Sequence, residues 1–169
     1  NYLWNEEQTD AVLANDAGSD VKVEEQTWRH ASRTECLLCH TTRVGSILGF
    51  RLPQLDRLTD ASSSTGNQLA SLSEQGLFAE PLPAKIERIP DPHDASAALD
   101  QRARSYLHVN CGHCHMRGGG GSSFFNVQFT LPLARTSLIG SRPSQGTFGI
   151  LAAQIVAPGD PYRSVLYYR

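Results

Sequence analysis

A mainly α-helical chain folded as two small units, each closed around a centre that its own side chains do not supply, is the architecture the sequence predicts. All four cysteines of the 169 residues sit in two copies of Cys-x-x-Cys-His, within TECLLCHTTRVG (34–45) and VNCGHCHMRGGGG (109–121). Their first cysteines, Cys36 and Cys111, lie 75 positions apart. Between the copies, PLPAKIERIPDPH (81–93) holds four prolines, too many for regular helix, and reads as a linker. Ahead of the second copy, Leu99, Ala103, Tyr106 and Leu107 recur at helical spacing. Halves of roughly 75 residues are marginal on apolar burial alone and need a disulfide, metal or cofactor as a staple. The expected divisions are an N-terminal helical extension at 1–26, a first unit at 27–92 and a second at 93–169.

Taken in order, NYLWNEEQTDAVLA (1–14) is expected to be helical, with Leu3, Trp4, Ala11 and Val12 as packing residues. NDAGSD breaks it, and VKVEEQTW is a short extended stretch. A short helix leads through WRHASRTECLLCH into the first motif. RLPQLDRL, interrupted by its proline, is a turn and a short helix. ASSSTG (61–66) is a loop. NQLASLSEQGLF (67–78) places Leu69, Leu72 and Leu77 at near-helical spacing, with Gly76 as a C-terminal stop. The helix ahead of Cys111 can be capped by Asp94 or Ser96. RGGGGSS is a flexible loop, and FFNVQFTLPL a strand or extended segment. In PGDPYRSVLYYR, Asp160 is an N-cap with Pro161 at the first helical position.

Cys-x-x-Cys-His is the attachment signature of c-type haem. Two thiols three positions apart, near a helical turn, can add across the two vinyl groups on one porphyrin edge. The next residue then lies under the ring, where its imidazole can ligate iron. On this reading Cys36 and Cys39 hold one haem with His40 as proximal ligand, and Cys111 and Cys114 hold a second with His115. Competing uses of the cysteines are a thioredoxin-like redox pair, which wants a βαβ context that neither copy has, and disulfides within each pair, which would close strained loops and staple nothing. A zinc site of cysteines and histidines is the strongest competitor, although zinc does not require a histidine directly after both pairs. Covalent c-type haem is assembled outside the cytoplasm in bacteria, so the expected location is periplasmic or at the cell surface.

The stretches ECLLCHTTRVGSILGFRLPQLDR, GNQLASLSEQGLF, RARSYLHVNCGHCH and VAPGDPYRSVLYYR together resemble a family of bacterial diheme c-type cytochromes. The resemblance runs from about Trp28 to the end and may be extended to YLWNEEQTDA. It implies two cytochrome-c-like helical units, each around one covalent haem, and a role in electron transfer. In that family the unit occurs alone or as the C-terminal part of larger extracytoplasmic proteins. Such proteins typically continue into a Met-Pro pair that supplies a distal sulfur and then a final helix, and this sequence ends before either. Its single methionine, Met116, adjoins His115 and cannot reach the opposite face of the same ring. The sixth ligand of the second haem is therefore expected to be replaced, absent, or carried on a further tail.

Distal ligand identity decides potential, because a thioether stabilises ferrous iron and a second imidazole favours ferric iron. His93, following the linker, and His108, beside Leu107, are the distal candidates. His30 lies too near the ring it precedes, and His113, inside its motif, is expected to face solvent. Arg43 and Arg51 follow the first motif closely and can pair with haem propionates, while Tyr106 and Phe50 can pack on a ring. The formal charge of −2, with no basic block, argues against a nucleic-acid surface. No apolar run approaches the ~18–20 residues of a membrane span. The chain opens on Asn1 without an initiator methionine or signal-peptide core, so the start is expected to be processed, cut or merely the limit of the record. The expected function is transfer of single electrons between an extracytoplasmic donor, either a partner protein or a fused oxidoreductase domain, and an acceptor. The alternative is a diheme peroxidase-like enzyme with one open iron position. No catalytic residues are assigned.

Overall fold

A computed structural model describes residues 1–49, 51–58 and 66–169. Phe50 and positions 61–65 of the expected loop lie outside the described residues.

Residues 1–30 form two antiparallel hairpins, not a helical extension. In the first, β1 (Tyr2–Trp4) pairs with β2 (Ala11–Leu13) in the register Tyr2–Leu13 and Trp4–Ala11. Its turn is built by Asn5, whose side-chain oxygen accepts from the Thr9 and Asp10 amides at 2.9 and 3.2 Å. Asparagine offering its oxygen to amides a few residues on competes directly with helix formation. Of the expected packing residues, Trp4 and Val12 are exposed. In the second hairpin, β3 (Ser19–Val23) pairs with β4 (Gln26–His30). Valine, threonine and tryptophan favour this pleated surface, and the extended stretch expected around 21–28 is found as its two strands.

A helix does lead into the first motif, but it is only α1 (Arg33–Leu37). Ser32 accepts from the Glu35 amide and the Glu35 carboxylate accepts from the Ser32 amide, a reciprocal capping box. Arg29 on β4 clamps the same carboxylate at 2.7 Å, coupling hairpin to helix. The proline-interrupted segment forms the four-residue α2 (Leu52–Leu55). The seven-residue α3 (Gln68–Glu74) is capped by Asn67 and is followed by Gly76 at φ +69°, the expected stop. The longest helix, α4 (Leu99–Cys111), runs straight into the second motif. It starts without a side-chain cap, because Asp94 uses its carboxylate on the amide and hydroxyl of Ser96 instead.

The proline-rich segment has no regular structure, yet its second half is pinned on two sides. Arg88 makes a two-point contact with Asp56 just after α2, at 2.8 and 3.0 Å. The Pro90 and Pro92 carbonyls accept from Ser105 and Arg102 of α4, at 2.6 and 2.8 Å. Beyond the second motif the chain continues in turns and short 3-10 segments. The stretch 124–133, expected as a strand or an extended segment, is not a strand, and the helix expected from Pro161 is a 3-10 turn, Pro161–Arg163, capped by Asp160 as anticipated. Val127, Leu138 and Ile155 form the core, with Leu107, Cys111, Phe125 and Val156 packed against it. No described helix is long and apolar enough to cross a membrane.

A mainly α-helical fold of two cytochrome-c-like units is therefore not what the chain adopts. The described α-helices have 5, 4, 7 and 13 residues, and they share the chain with two small antiparallel sheets and long irregular segments. Two physical causes stand out. Turn-forming Asn5 and the β-branched 19–30 segment turn the N-terminus into hairpins. Recurrent glycine and proline through 118–161 prevent further helix. The helical face expected on α4 is also misassigned: Leu99, Ala103 and Tyr106 are exposed, while Ser105 is fully buried and Leu107 meets the core.

Candidate functional site

Both Cys-x-x-Cys-His motifs sit at the C-terminal end of a helix and fold into the same turn. In the first, the Cys36 carbonyl accepts from the amides of Cys39 and His40 at 3.2 and 2.9 Å, and the Cys39 carbonyl from Thr41 at 2.9 Å. In the second, the Cys111 carbonyl accepts from Cys114 and His115 at 3.2 and 2.8 Å, and the Cys114 carbonyl from Met116 at 3.1 Å. One turn of this kind brings both cysteines and the histidine of each motif round a single short arc. The four cysteines are free thiols.

The two turns have different surroundings. His40 is exposed, and its Nδ1 donates to the Ser46 carbonyl at 2.6 Å. A carbonyl can only accept, so Nδ1 carries the proton of this bond, as second-shell bonding orients a metal-ligating histidine and leaves Nε2 for the metal. Ser46 reaches this position at φ +61°, a conformation uncommon outside glycine. Leu37 and Leu38, between the cysteines, are both exposed apolar side chains.

His115 is half-buried and stacks on Phe125, with ring centroids 4.2 Å apart and planes 13° from parallel. Its Nδ1 is buried without a hydrogen-bond partner. Burial, with smaller effects from His113 and Arg169, holds it below the ordinary imidazole value, so the ring is neutral at neutral pH. Burial likewise pushes the Cys111 thiol up. Cys114 is raised by burial first and then by Cys39 and Cys111.

All three functional side chains of the second motif line one cavity of about 420 Å³, whose apolar wall includes Leu107, Phe125, Ile155 and Val165. That volume lies within the ~300–1,000 Å³ of cofactor and ligand clefts. An apolar cleft, two thiols on one side and a neutral imidazole with an unpaired buried nitrogen fit a covalently held haem. Among the described residues, no group of three or more His, Cys, Asp and Glu is arranged to hold a metal ion.

The distal candidates stand apart from this cavity. His93 is exposed in the turn before α4, its amide donating to Asp91 at 2.8 Å. His108 is half-buried on α4, its Nδ1 accepting from the Phe129 amide at 3.3 Å. Burial, and then Arg51, lower its pKa. Neither lines the cavity. His113, expected to face solvent, is half-buried with Nδ1 unpaired, and His30 meets Ser19 at 3.3 Å. Of the candidate propionate partners, Arg51 has a buried guanidinium nitrogen with no partner, whereas Arg43 donates to the Arg117 carbonyl at 3.4 Å. Tyr106 is exposed.

Sequence reading missed the meeting of the two motifs. They were assigned to separate units, yet Cys39 of the first motif lies close enough to the Cys114 thiol of the second to help hold its pKa up. The glycine run after the second motif packs closely against both motifs. A Cβ on Gly121 would fall 2.9 Å from both the Cys114 carbonyl and His115 Nδ1, and one on Gly120 would overlap the Leu38 carbonyl. Four consecutive glycines directly after the second Cys-x-x-Cys-His were the available signal, since glycine marks close backbone approach as well as flexibility. Compared with known proteins, the chain matches no family model, no curated protein and no solved structure.

Proposed function

We propose that the chain is an extracytoplasmic electron-transfer module carrying two covalently bound c-type haems. The observation that carries this reading is the common turn of the two Cys-x-x-Cys-His motifs. It is supported by the apolar cavity that Cys111, Cys114 and His115 line together. When bound, haem supplies an iron that cycles between ferric and ferrous states, one electron at a time.

The chain's own residues hold and tune it. Cys36, Cys39, Cys111 and Cys114 would hold it through thioethers, each S–H adding across a vinyl C=C with sulfur on one carbon, hydrogen on the other and no leaving group. His40 presents Nε2 because Ser46 holds its Nδ1 proton, and His115 is held by stacking on Phe125. The apolar walls around His115 would disfavour the more highly charged ferric state. Arg51, with its unpaired buried nitrogen, is placed to meet a carboxylate. Electrons would come from a redox partner protein or a fused oxidoreductase domain.

The test is the intact mass of denatured protein produced in a host that attaches c-type haem, since thioethers survive unfolding. The expected result is two haem additions, falling to one in Cys36→Ser/Cys39→Ser and to one in Cys111→Ser/Cys114→Ser. A colourless protein of unmodified mass overturns the reading. Rapid turnover of hydrogen peroxide by the loaded protein would replace electron transfer with the peroxidase-like alternative.

A further inference from the structure

We infer that the two haem-attachment sites form one joined pair, held together by the glycine run 118–121 with Gly120 as its positioning residue, so that electrons pass between the sites inside the chain. This inference rests on the two-haem reading for its electronic consequence, but not for the pairing itself.

Three contacts between the motifs carry it. Cys39 and Cys114, the second cysteine of each motif, are near neighbours although 75 positions separate them. Arg43, just after the first motif, donates to the Arg117 carbonyl just after the second, at 3.4 Å. Gly120 lies against Leu38 and Cys39 so closely that a Cβ would overlap the Leu38 carbonyl oxygen, and a Cβ on Gly118 would fall 3.0 Å from the Arg43 side chain. The run therefore seats on residues 38–43 while its own backbone folds back on Cys114, whose carbonyl accepts from the Gly121 amide at 3.0 Å. Any side chain at position 120 must push the motifs apart, because the obstacle is backbone and cannot swing away.

The pairing places two of the four attachment points side by side. Charge gained at one site is then felt at the other across a short path, and the pair takes up its electrons in two separated steps rather than as independent centres. An electron arriving at either motif can leave from the other, which suits a module bridging a donor and an acceptor on different faces.

The closing experiment reads the pairing with and without haem. In the unloaded Cys36→Ser/Cys111→Ser variant, only Cys39 and Cys114 remain to react with dibromobimane, a reagent that fluoresces when two neighbouring thiols displace both its bromides. The expected product is a bridge between the peptides of Cys39 and Cys114, formed several-fold faster than in denaturant. It should be lost in the added Gly120→Val variant and kept in Gly49→Ala, where a Cβ meets nothing within 4 Å. Absence of the bridge from the folded double variant overturns the inference, and should Gly120→Val fail to fold, the double variant alone decides. In the loaded wild-type protein, a two-signed Soret circular dichroism couplet is expected, and a single-signed band with two haems attached overturns the pairing. A protein that takes up no haem overturns the proposed function instead, and the bimane bridge then still decides whether the motifs meet.

Discussion

Glu35 shows how much of the first motif's placement rests on one carboxylate. It accepts from Arg29 of the second hairpin and from the Ser32 amide that opens α1, and these two bonds lower its pKa from 4.5 to about 2. A depressed folded-state pKa means the unfolded chain binds the proton more readily, so the contribution is complete above pH 4.5 and lost as pH falls towards about 2. The tie between hairpin and α1 is therefore expected to loosen across that acid window. Fluorescence of Trp28, on the same strand as Arg29, should follow it in the wild type and show no such transition in Glu35→Gln. The two histidines illustrate different solutions at the same scale: Ser46 fixes the proton of His40, whereas burial and a stacked ring keep His115 neutral. Both leave a nitrogen lone pair for a metal.

At the scale of elements, α4 is the strut of the molecule. Its outer positions are exposed, and what anchors it is Ser105, fully buried and donating to the Pro90 carbonyl at 2.6 Å. Ser105→Ala leaves that carbonyl without its donor, a loss of about 1–3 kcal/mol, to be read as a lower urea midpoint with an unchanged slope. Because the same segment is fastened to α2 through Arg88 and Asp56, proline-rich chain acts here as a brace between elements and not as a tether. The α1 and α4 helices differ in length and cap, yet each ends in the same hydrogen-bonded arc, so the motif dictates its own turn whatever precedes it.

For the whole molecule, the balance of apolar surface is the governing fact. The core around Val127, Leu138 and Ile155 is small, while Phe124 and Leu151 stand 95% and 89% exposed. A core of this size leaves a chain marginally stable unless something else supplies apolar contacts. Filling the cavity beside Cys111, Cys114 and His115 would do so, and a covalent ligand cannot dissociate. Haem-loaded protein is expected to melt at a higher temperature and over a narrower range than unloaded protein, followed by far-UV circular dichroism. Equal midpoints would separate folding from cofactor attachment.

How far the sequence could be read follows from the range of the forces involved. Cys36, Cys39, His40, Cys111, Cys114 and His115 were legible as two sites because spacing along the chain encodes a local turn. The Gly76 stop, the Asp160 cap and the irregular course of 81–93 were legible for the same reason. The N-terminal segment was not, since its apolar residues fit helix or hairpin and the choice fell to the hydrogen bonds of Asn5. The buried face of α4 escaped because a carbonyl on a distant proline, and not apolar periodicity, selects Ser105. By itself, then, the sequence determined which residues carry the candidate chemistry and the turn in which each motif presents them. Only the tertiary structure decided that the two motifs touch and that one of them opens on an apolar cavity, because those contacts depend on chain segments 75 positions apart meeting through glycines that leave no side chain in the way.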